Sequence, residues 1–127
     1  MNRFLVVTNA PASAWTVGTA ATLQELGTVA IATEQEVARD GFGDSYHLIM
    51  VDMAELPDQD ALRLITTLRA ADDAVPIVVA TASPTWNRAR TLLLAGASDY
   101  IRKTSDRATL LRTLQPLLLR PGEGEQT

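Results

Sequence analysis

Three polar side chains that could take part in phosphoryl chemistry each follow an apolar segment with the composition of a strand. They are Asp52, Thr81 and Lys103, which come directly after residues 48–51, 75–80 and 100–102. In an open parallel α/β sheet, the carboxyl ends of the strands line one crevice, where ligands bind. We therefore expect a carboxylate, a hydroxyl and an ammonium group to meet there, a combination that suits phosphoryl transfer.

The first apolar run of the chain ends differently, in Thr8 and Asn9, where a metal-dependent phosphoryl site would need acids. Mg²⁺ is held mainly by carboxylates and waters. Asp52 and Lys103 alone give a formal charge near zero, so most of the attraction for a divalent cation is missing. The weak metal candidates are Asn9, Asp52 and Glu55, the last of which could turn toward the pocket from its loop. We expect no cofactor, and Mg²⁺ binding that is weak or absent.

The periodicity of apolar residues predicts five alternating strands and helices. The predicted strands are 4–8, 28–32, 46–52, 75–80 and 98–102, and the predicted helices are 11–26, 33–40, 58–70, 83–95 and one that begins at 104 or 105. Short apolar strands joined by helical crossovers indicate a parallel sheet with helices on both faces. The fold class is therefore α/β, a three-layer α/β/α sandwich.

Details of three helices follow from local signals. In the first helix, the stripe of Ala14, Val17, Ala21 and either Leu23 or Leu26 is expected to face the core. Ser83 followed by Pro84 reads as the N-cap and first residue of the fourth helix. Pro116 should kink or end the fifth helix.

Composition limits the class of protein. The 127 residues are about one domain long, 46% are hydrophobic, and there is no cysteine for disulfides or thiolate metal sites. Residues 1–60 hold two basic and nine acidic residues, and residues 61–127 hold nine basic and six acidic ones. The net charge of −4 argues against direct DNA binding. We expect a cytoplasmic protein with no membrane segment, a domain over 1–119, and a tail or linker over 120–127.

Four stretches in order resemble the receiver domains of two-component response regulators. They are residues 46–52, 57–62, 76–82 and 95–103, and the likeness extends over about 4–119. The resemblance implies a flavodoxin-like sheet of five parallel strands in the order 2-1-3-4-5. It also implies that Asp52 accepts a phosphoryl group, that Thr81 and Lys103 contact this group, and that Tyr100 is the switching aromatic.

The chain departs from the receiver pattern around the metal site. Thr8 and Asn9 replace the acidic pair of the family. Pro57 comes one residue later than the family's proline, which implies a one-residue insertion in the loop. Thr104 replaces the proline that follows the family's lysine, so we expect a trans peptide bond there and some displacement of Lys103.

These departures favour a degenerate receiver-like domain that acts by protein–protein association, with little or no phosphorylation. Its partner surface, for a homodimer or another protein, is expected on the fourth helix, fifth strand and fifth helix. The residues proposed for it are Arg90, Arg102, Arg107, Leu111, Leu114 and Leu118. Here Asp52 would only pair with Lys103.

Two alternatives stay open. The first is a working receiver, phosphorylated at Asp52 by a histidine kinase. The second is a small-molecule-binding domain that uses Thr8, Asn9, Thr81 and Lys103. We expect no enzyme beyond autophosphorylation from a phosphodonor, since the sequence has no glycine-rich phosphate loop and no paired nucleophile and base.

Overall fold

A five-stranded parallel sheet forms the centre of the structure, a computed structural model that describes residues 2–41 and 45–118. The strands are β1 (Asn2–Val7), β2 (Gly27–Ala32), β3 (Leu48–Asp52), β4 (Ile77–Thr81) and β5 (Asp99–Arg102), in the order β2-β1-β3-β4-β5. This order confirms the predicted flavodoxin-like fold. The predicted tail, 120–127, lies outside the described residues.

Five helices alternate with the strands. They are α1 (Ala14–Gln24), α2 (Glu34–Asp40), α3 (Asp58–Ala71), α4 (Trp86–Ala95) and α5 (Arg107–Leu118). Among the described residues, no helix is both long and apolar enough to cross a membrane.

The sheet carries one apolar core on each face, because successive strand residues point to opposite sides. The core on the side of α3 and α4 contains Leu5, Val7, Ile49, Val51, Ile77 and Val79. The core on the side of α5 contains Phe4, Val6, Leu48, Met50, Val78 and Ala80. Strands buried on both faces explain the unbroken apolar runs that precede the polar residues of the site.

The buried face of α1 differs from the prediction. Ala14, Val17 and Ala21 are exposed, Val17 by 58%, so this part of the expected stripe is wrong, whereas Leu23 is buried as expected. Besides Leu23, the helix buries Thr16, Thr19, Ala20 and Thr22. Thr16 is tolerated inside because its hydroxyl donates to the carbonyl of Ala10 at 3.0 Å.

Two helix ends also differ. Thr85, not Ser83, is the N-cap of α4, and its hydroxyl accepts a hydrogen bond from the backbone N–H of Arg88. The helix α5 continues through Pro116 to Leu118, so the proline does not end it. Pro116 lies in the last turn, where little of the helix remains to be disrupted.

Candidate functional site

Asp52 is fully buried at the carboxyl end of β3. Its Oδ1 accepts a hydrogen bond from the backbone N–H of Ala54 at 2.9 Å and lies 2.7 Å from the Lys103 Nζ. Its Oδ2 accepts a hydrogen bond from the Thr8 hydroxyl at 2.8 Å. Both oxygens of this carboxylate are therefore engaged by groups of the protein itself.

The sheet register brings these groups together. Val7 of β1 lies beside Val51 of β3, so Thr8 comes next to Asp52. On the other side, the backbone N–H of Lys103 donates to the carbonyl of Thr81 at 2.8 Å. Of the three groups predicted to meet, the Asp52 carboxylate and the Lys103 ammonium do so, whereas the hydroxyl that binds Asp52 belongs to Thr8 and not to Thr81.

Trp15 is a site residue that sequence reasoning missed. Its ring lies 4.6 Å from the Lys103 Nζ, so the ammonium is held between an indole face and the Asp52 carboxylate. Such a cation–π contact is strongest when the cation is shielded from water, and the side chain of Lys103 is only 16% exposed. The sequence did offer one signal for this contact. Because α1 follows β1, its first residues lie at the carboxyl ends of the strands, and Lys103 follows the carboxyl end of β5.

The two other predicted switch residues lie close by in the fold. Thr81 is buried at the end of β4, and its hydroxyl oxygen accepts a hydrogen bond from the backbone N–H of Ser83 at 3.2 Å. Tyr100 on β5 is partly buried, and its hydroxyl has no hydrogen-bond partner among the described residues. Within the described part of the chain, neither side chain is hydrogen-bonded to Asp52.

The candidate metal ligands do not converge on Asp52. The side-chain oxygen of Asn9 accepts a hydrogen bond from the backbone N–H of Glu34 at 3.1 Å, and its Nδ2 donates to the carbonyl of Glu55 at 3.3 Å. The Glu55 residue is exposed and adopts a left-handed φ of 56° in the loop where an inserted residue was predicted. Within 2–41 and 45–118, no group of three or more His, Cys, Asp or Glu side chains could hold a metal.

This donor set differs from the ligand set that Mg²⁺ prefers. The ion needs near-octahedral oxygen ligands and usually takes one or two free carboxylates. Within the described residues, Asp52 belongs to no group of three or more His, Cys, Asp or Glu side chains that could hold a metal, and a lysine ammonium lies against its Oδ1. The peptide bond before Thr104 is trans, and Lys103 nevertheless reaches Asp52.

The predicted partner surface is only partly accessible. Leu114 is fully buried in the core on the α5 side, and Leu118 packs against the same core, so Leu114 was assigned wrongly. Leu111 is half-buried, whereas Arg90 and Arg102 are exposed. The fifth helix uses its leucines for the core because both faces of the sheet must be covered.

Arg107 binds within its own chain. Its Nε donates to Glu25 Oε2 at 2.8 Å and so ties α5 to the end of α1. The hydrogen bond from Arg107 lowers the pKa of Glu25 below its usual 4.5, and the same bond raises the pKa of Arg107.

The predicted partner surface did not include the exposed apolar residues on α4. Trp86 and Leu94 are each 78% exposed, and with Arg90 they form an i, i+4, i+8 stripe on one side of α4. Only Leu92 of this helix is buried, which leaves the opposite side to solvent. The helical spacing was visible in the sequence, but its orientation was not.

Comparisons with known proteins identify the family to which the chain is similar. A family model described as the response regulator receiver domain matches residues 4–115. The chain is 32% identical over 100 residues to the virulence transcriptional regulatory protein PhoP of Salmonella choleraesuis (strain SC-B67), covering 77% of this chain and 44% of the relative. The chain thus spans less than half the length of this curated relative.

Two solved structures show the same fold. A CheY-like receiver domain protein from Methanospirillum hungatei JF-1 superposes with a TM-score of 0.80 at 22% identity, covering 100% of this chain and 99% of the other. The receiver domain of the sensor histidine kinase PA1611 from Pseudomonas aeruginosa PAO1 superposes with a TM-score of 0.76 at 28% identity, covering 94% and 98%. That domain was solved with a magnesium ion coordinated in its active-site cleft.

The fold and the strand-end site define a signalling domain of the two-component type. The chain belongs to the response regulator receiver domain family.

Proposed function

We propose that this receiver domain acts by protein–protein association and that Asp52 undergoes little or no Mg²⁺-dependent phosphorylation. The observation that carries the proposal is that groups of the protein itself occupy both oxygens of the buried Asp52 carboxylate. Thr8, Ala54 and Lys103 engage both of its oxygens, and no part of the residue is exposed.

The charge of the pocket supports the same conclusion. Phosphoryl transfer relies on positioning and on charge stabilisation by metal ions. A single carboxylate paired with an ammonium offers a divalent cation almost no net charge. Asn9 cannot compensate, because its amide oxygen is bonded to the start of α2 and its nitrogen to Glu55.

The exposed side of α4 and the neighbouring end of β5 are the proposed partner surface. Trp86, Arg90, Leu94 and Arg102 supply apolar area and two positive charges there. Aromatic residues and arginine are enriched at protein interfaces. The partner is a protein, such as a histidine kinase or a second regulator, and this net acidic domain makes no DNA contact of its own.

The test is a Mg²⁺ titration with and without beryllofluoride, an aspartyl-phosphate mimic, followed by the amide NMR signals of Asp52, Thr81 and Lys103. We expect no saturable shift up to roughly 20 mM Mg²⁺, well above the range in which functional sites bind divalent ions. Saturable shifts of these amides at millimolar Mg²⁺ would overturn the proposal.

A matched variant shows that the assay can detect binding. Thr8→Asp combined with Asn9→Asp restores the acidic pair that the receiver resemblance implies at these positions. Three neighbouring carboxylates repel one another without a cation and attract one strongly. We expect this variant to gain Mg²⁺-dependent thermal stability and amide shifts, and the wild-type chain to show neither.

A working phosphoacceptor is the second candidate, favoured by one observation. Lys103 reaches Asp52 at 2.7 Å although Thr104 replaces the family's proline. The same titration separates the two candidates. The small-molecule alternative receives no such support, since Thr8 and Thr81 are buried and both are hydrogen-bonded.

A further inference from the structure

A groove between α1 and the start of α5 encloses a cavity of about 190 Å³. Its lining residues come from α1 and from the segment 104–110. An apolar cavity of about 150 Å³ holds benzene, so this volume fits a molecule with one aromatic ring. Asp52, Thr81 and Lys103 do not line the groove, which is therefore distinct from the strand-end site.

Two buried threonine hydroxyls in this groove have no partner in the described part of the chain. Thr19 and Thr22 both line the groove and are only 3% and 8% exposed, and neither hydroxyl is hydrogen-bonded to a described residue. Three other helical threonines, Thr66, Thr91 and Thr113, each donate to the carbonyl four residues earlier. The oxygens of the two groove threonines keep some accessible surface, which opens on the groove. Because a buried hydroxyl without a hydrogen bond is unfavourable, an occupant that can form such bonds is favoured.

The walls of the groove are apolar and include an aromatic ring. Trp15 lies on the α1 side, and the buried Leu110 lies on the α5 side. Gly18 also lines the groove, and a Cβ at this position would meet no atom within 4 Å. Glycine weakens the middle of a helix, and packing within the chain does not require it here. Its effect is to keep the groove open beside the Trp15 ring.

The charged groups at the rim of the groove already have partners in the chain. The Arg107 guanidinium donates to the Glu25 carboxylate. The Asp106 carboxylate accepts hydrogen bonds from the backbone N–H and the hydroxyl of Thr109. Neither Arg107 nor Asp106 is left to pair with an ionic ligand, so a neutral ligand is favoured.

We propose that this groove binds a neutral phenol, that is, a single aromatic ring that carries a hydroxyl group. The ring packs against Trp15 and Leu110, and the phenolic hydroxyl forms hydrogen bonds with Thr19 and Thr22. Aromatic rings that pack offset or edge to face gain more than the area that they bury. Occupancy of the groove does not depend on whether Asp52 is phosphorylated, and it goes beyond the function proposed above.

The test is a titration of the ¹⁵N-labelled whole chain with phenol, followed by the amide NMR signals and the indole N–H signal of Trp15. Benzene, which is the same ring without the hydroxyl, is the matched control ligand. We expect saturable shifts at Trp15, Gly18 and Thr22, with a Kd for phenol on the order of 1 mM. Benzene should bind about tenfold more weakly, because it leaves both threonine hydroxyls without a partner.

Three variants test the parts of the site, and circular dichroism checks that each is folded. Thr19→Val keeps the shape of the side chain but removes the hydroxyl, so it should weaken phenol binding about fivefold and leave benzene binding no weaker. Gly18→Leu places a side chain in the groove and should abolish phenol binding. Gln24→Leu adds the same side chain at an exposed position on the other side of α1 and should leave the Kd unchanged.

A lack of saturable phenol shifts up to about 20 mM would overturn the proposal. Equal affinities for phenol and benzene would overturn it as well, since the two hydroxyls would then select nothing. Phenol binding that is unchanged by Thr19→Val or by Gly18→Leu, or that is lost in Gln24→Leu, would place the ligand outside this groove.

Discussion

Replacing Lys103 by Met tests whether the buried carboxylate of Asp52 depends on its ammonium partner. The substitution keeps an unbranched side chain against Trp15 but removes the charge that lies 2.7 Å from Asp52 Oδ1. Asp52 is 0% exposed and cannot turn to water for compensation. Its remaining donors are the Thr8 hydroxyl and the Ala54 N–H.

Removing one partner of a buried ion pair costs about 3 to 5 kcal/mol. Because two hydrogen bonds to the carboxylate survive, we expect the lower end, about 3 kcal/mol of unfolding free energy. Removing the other charge of the pair by Asp52→Asn should cost less unfolding free energy, about 1 to 2 kcal/mol. The reason is that the Lys103 side chain is 16% exposed and its ammonium can still reach water and the Trp15 ring.

The assay is urea unfolding followed by far-ultraviolet circular dichroism, in which Lys103→Met should lower the midpoint by about 1.5 M. The double variant with Asp52→Asn should cost less than the sum of the single variants, by about 1 to 2 kcal/mol. A cost below about 1 kcal/mol for Lys103→Met, the range of an exposed salt bridge, would refute this reasoning. A larger cost for Asp52→Asn than for Lys103→Met would refute it as well.

Three substitutions outside the site test other parts of the fold by urea unfolding. Gly96→Ala should destabilise by about 1 to 3 kcal/mol, since Gly96 has a φ of 128° and a Cβ would lie 2.9 Å from Arg69 Cγ. Gly18→Ala should instead stabilise the protein by about 0.5 to 1 kcal/mol, because a Cβ at this position in the middle of α1 meets no atom within 4 Å. Equal effects of the two substitutions would contradict this difference between the glycines. The Thr33 N–H hydrogen bond lowers the pKa of Glu36 below 4.5, so this contribution to stability is present above pH 4.5 and lost as the pH falls through the lowered value. Glu36→Gln should therefore lose less stability than wild type on acidification below that pH, and parallel losses would count against this hydrogen bond.

Much of the fold was readable in the sequence because local signals and burial agreed. The apolar runs of β3 and β4 and the capping box of α2, in which Thr33 and Glu36 bond each other's backbone, predicted those elements directly. The faces of α1 and α5 were less readable. Threonine and leucine fit either side of a helix, and the neighbouring elements decide which side is buried, as the exposure of Val17 and the burial of Leu114 show.

The sequence by itself determined the fold family and the residue types at the strand ends, including the replacement of an acidic pair by Thr8 and Asn9. Composition and spacing are properties of the chain, and they suffice to specify a parallel sheet with Asp52 at its carboxyl edge. Only the tertiary structure decided how that edge is used. Asp52 binds Thr8 by a hydrogen bond and Lys103 by an ion pair, and Lys103 contacts Trp15. These contacts join residues that are far apart in the chain. Such contacts depend on strand register and helix orientation, which no local pattern encodes.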